Sequence, residues 1–255
     1  MHLQGWARRS GAGLLAAAGL AGCTGGGGSS EAVAEADKAP AVAAMSAPQV
    51  VRTGRQALAD APSFTFNLAV GVRSYRFPTV SVTADRSGHC TGTLAGESRG
   101  PVEVRRIGQR AWVKGSADFW KEFEGSQRAA APARLADRYV LVHRGYKPLD
   151  DLVARCDPEW ILDFLDENIG GEEQEKVGST TMNGTDTLQV HSGTPGQGAE
   201  LYVATTGTPY LVKLARQAGP RASTVSFSAF GEPVSVTEPP AAETVDLVEA
   251  VTAAA

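Results

Sequence analysis

Histidine, cysteine and aromatic side chains are scarce in this chain of 255 residues, which has four histidines, three cysteines and 7% aromatics. That scarcity excludes much chemistry. No His-Glu-x-x-His pair, Gly-x-Ser-x-Gly elbow, Walker loop or dinucleotide fingerprint occurs, so the common metalloprotease, hydrolase and nucleotide-binding frameworks are missing. His89, His143 and His191 fall outside any metal-binding spacing, and neither a metal nor a cofactor is expected. No segment is apolar for the roughly 18 residues that a spanning helix needs. Nor is charge gathered into blocks: 24 Lys+Arg stand against 28 Asp+Glu, without the basic stripe that a nucleic-acid partner would require. Nothing in the composition assigns an oligomeric state.

What is present begins at the N-terminus. Arg8 and Arg9 supply a positive start, and Gly11 to Gly22 form an apolar run too short to cross a bilayer as a stable helix. The run ends in Leu20-Ala21-Gly22-Cys23, which resembles the bacterial lipobox. The resemblance implies a lipoprotein signal peptide over residues 1–22, cleaved before Cys23, whose thiol takes a diacylglyceryl group and whose amine takes a further, palmitate-type chain. Each buried methylene contributes about 0.8 kcal/mol and one chain anchors only marginally, so two or three chains hold firmly. The expected location is the cell membrane, lipid-anchored on the outer, extracytoplasmic face. An ordinary signal peptide with a chance cysteine is the alternative. Arg8-Arg9 makes a poor twin-arginine signal, because no bulky apolar pair follows. Cleavage would leave 233 residues carrying 22 basic and 28 acidic side chains, enough for one good-sized core. It would also leave Cys90 and Cys156 in an oxidising compartment, where a disulfide is expected and a pair of buried thiols is the alternative. A bridge closing so long a loop contributes about 4 kcal/mol in the chain-entropy account.

Residues 23–48 read as the lipidated cysteine and a flexible tether: Gly25-Gly26-Gly27-Gly28-Ser29-Ser30 cannot build a core, and the Ala/Pro/acid-rich continuation lacks aromatics. Residues 49–240 read as a single domain, and 241–255 as an Ala-rich, frayed C-terminal tail in which Val245, Leu247 and Val248 are able to dock. The domain opens with a predicted amphipathic helix. Val50, Val51, Ala57 and Leu58 share a face that Arg52, Arg55 and Gln56 avoid, and Asp60 and Pro62 stop it. From Ser63 the period becomes two. Phe64, Phe66, Leu68, Val70 and Val72 alternate with polar or small residues, and the pattern returns at Val80/Val82/Ala84, Val102/Val104, Leu188/Val190 and Leu201/Val203. It continues at Tyr210/Val212/Leu214, Val225/Phe227/Ala229 and Val234/Val236, with turn signals such as Arg86-Ser87-Gly88 and Asn183-Gly184 between strands. Helices are predicted over Ser116–Glu124 and from Asp157-Pro158 to Gly170-Gly171, with a shorter one over Lys147–Arg155.

The fold class is therefore α+β: a strongly curved antiparallel sheet wrapped over a few helices. About ten or eleven strands are more than an open twisted sheet carries without curling. A sheet that curls without stacking on a second one leaves space between its concave face and the helices, and where helices do not fill that space it stays apolar and can accept acyl chains.

The order of elements is similar to that of the actinobacterial lipoproteins of the LppX/LprA/LprF/LprG group, relatives of the LolA/LolB fold. The phrases that carry the likeness are Ala111-Trp112-Val113-Lys114-Gly115 leading to Phe119-Trp120, Met182-Asn183-Gly184-Thr185, Tyr202 to Tyr210, and Phe230-Gly231-Glu232-Pro233-Val234. It covers about residues 49–247. The resemblance implies a half-barrel over helices with an apolar cavity and carriage of lipids or lipoglycans across the envelope; fold alone does not fix function.

Trp112, Phe119, Trp120, Phe123, Trp160, Phe164 and Leu165 are the cavity candidates, with Trp120 and Trp160 at its mouth; plain core packing is the competing account. His89-Cys90 reads as a strand-end histidine beside a bridged cysteine rather than a metal or thiol site. Asp150-Asp151 and Asp163/Asp166/Glu167 read as solvated helix faces, and Glu172 to Lys176 as an exposed loop or strand start. The expectation is a non-enzymatic, membrane-anchored lipoprotein with a hydrophobic ligand. The alternative is a cell-surface interaction or sensory scaffold with a solid core. A hydrolase would need convergent titratable groups that the sequence does not show.

Overall fold

Alternating apolar and polar residues, interrupted by short turns, produce strands that can only pair antiparallel with their neighbours. The computed structural model describes residues 41–71, 77–96, 100–123, 131–142, 147–169, 171, 173–194, 197–216, 222–247 and 249. The chain divides into Met1–Ala39, which lies outside these, and the unit Pro40–Ala255. The signal peptide, Cys23 and most of the tether therefore fall outside the described residues, as do Val72, His143 and Val248.

Twelve strands form one sheet: β1 (Ser63–Val70), β2 (Thr79–Asp85), β3 (His89–Gly96), β4 (Gly100–Ile107), β5 (Arg110–Lys114), β6 (Tyr139–Val142), β7 (Gln174–Met182), β8 (Thr185–Ser192), β9 (Ala199–Ala204), β10 (Leu211–Arg216), β11 (Ser223–Ser228) and β12 (Thr244–Asp246). Their order is β12-β6-β5-β4-β3-β2-β1-β11-β10-β9-β8-β7. Every pairing is antiparallel except β12 on β6. β12 and β7 are edges, so the curved sheet does not close, and the α+β half-barrel is as expected. Among the described residues five α-helices accompany it: α1 (Ala47–Asp60), α2 (Ala117–Phe123), α3 (Ala131–Leu135), α4 (Lys147–Val153) and α5 (Pro158–Ile169).

The register sorts side chains onto two faces. Phe66 on β1 stands opposite Val82 on one side and Phe227 on the other. Leu68, Val225, Leu214, Leu201 and Val190 make a second apolar row across β1, β11, β10, β9 and β8. All of these belong to one continuous core. The opposite face carries Thr65, Asn67, Ser81, Thr83 and Thr93, and is half-buried or exposed.

Several expectations shift. Packing starts before Pro48, since Val42 and Ala47 are buried. Pro48 lies in the first turn of α1, where a missing N–H costs nothing, and the Ser46 N–H donates to Gln49 Oε1 at 2.8 Å. Tyr210 precedes β10, and an irregularity between Leu211 and Lys213 points Leu211 and Leu214 inward while Val212 is only half-buried. Ala229 lies just past β11 with φ +52°. Val234 and Val236 are not in a strand. Pro233, Pro239 and Pro240 remove the N–H groups a ladder would need, and residues 231–243 instead form a strap. The Gly231 N–H donates to the Ser63 carbonyl at 3.0 Å and Ser63 Oγ to that of Glu232 at 2.6 Å. Arg105 reaches the Thr237 carbonyl at 3.4 Å, and Arg110 grips Glu238 through both nitrogens at 2.5 and 2.7 Å. Arg138 holds the carbonyls of Ala242 and Thr244. The strap thus crosses from β1 over the polar face to β6, where it becomes β12, and Leu247 docks in the core with 5% exposure.

Cys90 on β3 and Cys156, in a short 3-10 turn after α4, are joined by a disulfide with Cα atoms 5.6 Å apart. α1 lies on the concave side against β7, β8, β9 and β10. A Cβ at Gly54 would sit 2.8 Å from Val203 Cγ2, so the close approach of α1 to β9 needs glycine there.

Candidate functional site

The concave face holds two groups of aromatic rings, one brought in by α2 and one by α5. Ser116 caps α2, its Oγ accepting the Phe119 N–H at 3.2 Å. Phe119 then lies over Gly115, where a Cβ would come within 2.5 Å of the ring. Phe119 meets Trp120 edge-on at 4.8 Å between centroids and faces Phe77 at 6.5 Å. Phe119 and Trp120 are both fully buried. The Trp120 indole N–H has no hydrogen-bond partner among the described residues. An unmet buried donor costs about 1–3 kcal/mol.

Asp157 starts α5, its Oδ1 accepting the Glu159 N–H at 3.0 Å. Trp160, half-buried, stacks on Phe164 at 5.6 Å with the Arg155 guanidinium 5.0 Å from its ring. Phe164 meets Phe66 at 6.1 Å, Phe66 meets Phe227 at 5.7 Å, and Phe227 meets Phe64 at 5.8 Å. Leu165 is fully buried in the same core. Each such ring pair is worth about 0.5–1.5 kcal/mol beyond its area.

Of the seven cavity candidates, the structure therefore brings Phe119 and Trp120 together on α2, and Trp160, Phe164 and Leu165 together on α5. The side chain of Phe123 lies outside the described residues. Trp112 is on the wrong face. In register with Arg105 and Leu141, it shares the outer surface with Thr65 and Thr83. It is only 2% exposed because the strap side of the sheet is covered there, with the Arg110 guanidinium 5.2 Å over its ring. Burial alone does not distinguish a concave from a covered convex position. Phe64, Phe66 and Phe227 join the α5 rings without being among the seven candidates, although their period of two placed them on one face.

The described histidines His89 and His191 each face a carboxylate. His89 Nδ1 lies 2.9 Å from Asp85 Oδ2, and Cys90 is bridged. Burial opposes ionisation of Asp85, but N–H groups of His89 and Ser87 together with the His89 ring outweigh it and hold the carboxyl below its ordinary value. His191 Nδ1 lies 2.7 Å from Glu200 Oε1, which raises the imidazole pKa above its ordinary value against a smaller effect of burial. Among the described residues no group of three His, Cys, Asp or Glu is placed to hold a metal ion. No helix among them is long and apolar enough to cross a membrane.

No family model matches the chain, and no curated protein matches it. Solved structures do. LprF from Mycobacterium bovis superposes with a TM-score of 0.52 at 14% identity, over 76% of this chain and 96% of that one. The fold is of the LprF type. The Mycobacterium tuberculosis lipoprotein LppX also aligns, with a TM-score of 0.48 at 15% identity over 74% of this chain and 97% of that one. What the LprF-type fold fixes is the architecture: an unclosed curved sheet with helices on its concave side. The rings of α2 and α5 occupy that side.

Proposed function

We propose that this protein is a membrane-anchored, extracytoplasmic lipoprotein that binds a hydrophobic, acyl-bearing ligand on the concave side of the sheet and carries it within the cell envelope, without catalysis. Cys23 would bear the anchor, and the Gly/Ala-rich segment after it would let the folded unit reach about 25–30 Å from the bilayer. The observation that carries the proposal is Trp120. A donor sealed in an apolar core with no acceptor among the described residues is costly, and the ester carbonyl of an acyl lipid is an acceptor that enters such a place without bringing charge. Phe119, Trp160 and Phe164 supply the flat apolar surfaces that acyl chains pack on.

Native mass spectrometry tests this with protein stripped of lipid and offered a diacyl phospholipid or its diether analogue, which lacks the carbonyls. The diacyl form should be retained about tenfold better, and Trp120→Phe, which keeps the ring but removes the N–H, should erase the difference. A specific observation favours the second account, a surface scaffold with a solid core: Phe119, Trp120 and Leu165 are fully buried within one continuous apolar cluster, as core residues are. That account expects no retained lipid of either kind.

A further inference from the structure

A cavity of about 670 Å³ opens on the outer face of the sheet, on the side of β1 away from the strap. Its floor is a row of directly opposed residues: Asn67 on β1 faces Ser226 on β11, and Ser226 faces Lys213 on β10. Strands lie about 4.8 Å apart, so the row spans roughly 10 Å. Thr181 and Asn183 of the β7–β8 turn and Phe230 just past β11 also line it.

These groups carry unused hydrogen-bonding capacity. Asn67 Oδ1 accepts from Ser81 Oγ at 2.7 Å, and its amide N–H groups meet no acceptor among the described residues. The Ser226 hydroxyl makes no hydrogen bond among the described residues. Lys213 Nζ sits 5.5 Å from the centroid of the Tyr202 ring and meets no carboxylate among the described residues. Glu200, two residues along β9 from Tyr202, is taken by His191 at 2.7 Å and Gln189 at 2.9 Å. One uncompensated cation among hydroxyls and amides, with an aromatic ring at the wall, matches a polyhydroxylated ligand bearing an anion. A nucleic acid would need several cations rather than one. A peptide strand would pair along a sheet edge, and this floor is the middle of a sheet.

We infer that this outer-face cavity binds a short acidic saccharide, Lys213 holding its anion and Asn67 and Ser226 its hydroxyls. The volume suits a ligand of two or three rings. The site lies on the face opposite the aromatic rings and does not depend on lipid binding.

The full chain, titrated with trigalacturonic acid by calorimetry and followed by amide chemical shifts, tests it. Saturable binding should perturb β10, β11 and the β7–β8 turn. Lys213→Met should weaken it about tenfold and Lys213→Arg should restore it, with thermal melts showing that both variants fold. Neutral maltotriose should bind about tenfold more weakly than the acidic trimer, and Asn67→Ala with Ser226→Ala should weaken both sugars. The inference is overturned by equal binding of hexaglutamate, which would mean charge attraction alone, by indifference to Lys213→Met, or by no saturation below about 10 mM.

Discussion

The two halves of the sheet on either side of β1 are built from the same alternation but held by different means. The half from β2 to β6 and β12 is fastened: a disulfide ties β3 to the turn before α5, Arg86 pairs with Glu159 of α5 at 2.6 Å, and the strap is gripped by Arg105, Arg110 and Arg138. The half from β7 to β11 carries no cross-link among its described residues. It relies on α1 lying close over β9, and its last strand, β7, is exposed along nearly its whole length, Val177 being 56% exposed. One half is secured by a disulfide and a gripped strap, the other by helix packing and scattered polar contacts such as that of Arg216 with the Asn168 carbonyl of α5. A curved sheet does not need the same support along its width.

The largest test of this contrast is removal of the bridge. Replacing Cys90 and Cys156 by serine should lower unfolding stability by about 4 kcal/mol, and hydrogen exchange should rise first in β2–β4 while β8–β10 keep their protection. Uniform loss across both halves would break the distinction. Gly54→Leu should act from the other side. The new side chain meets a stiff valine and the backbone of Leu211, so a cost of about 1–3 kcal/mol is expected, with exchange rising in β8–β10. An unchanged denaturation midpoint would show that α1 has room to move.

The smallest and most discriminating test is pH. The Asp85 carboxyl is held below its ordinary value, so its contribution is present above pH 3.8 and is lost as pH falls through its folded value. The His191 imidazole is held above its ordinary value, so its contribution is complete below pH 6.5 and is lost as pH rises through its folded value. Acid should loosen the β2–β3 turn, where Asp85 also accepts the Ser87 and His89 N–H groups, whereas mild alkalinity should loosen the β8–β9 pairing. Site-resolved exchange at both extremes checks the signs, and Asp85→Asn and His191→Gln should each flatten one limb only.

How far the chain could be read beforehand differs between the halves too. The rows through Phe66 and Leu201 were legible because strict alternation reports a buried face. β3 was hidden, since Gly92 and the threonines leave Cys90 and Leu94 as its only sizeable inward side chains. β6 was hidden for the opposite reason: Tyr139-Val140-Leu141-Val142 is apolar throughout and shows no period. The α2 and α5 rings were found because each helix announces its own cap. Trp112 was misplaced because it is buried on the outer face, beside the arginines that grip a strap more than a hundred residues later, and nothing local signals that. The outer-face cavity was invisible for the same reason, its floor being assembled from β1, β10 and β11.

The strap has a consequence for assembly. β1, in the middle of the sheet, waits for β11, and the free edge of β6 waits for β12, the last strand in the chain. A pore or ribosome releasing the polypeptide from its beginning would therefore deliver an open-sided intermediate, with Trp112 bare and a strand edge unguarded, until the final segment emerged. Residues 231–246 would complete the sheet, and removing them would act on solubility before it touched the concave site.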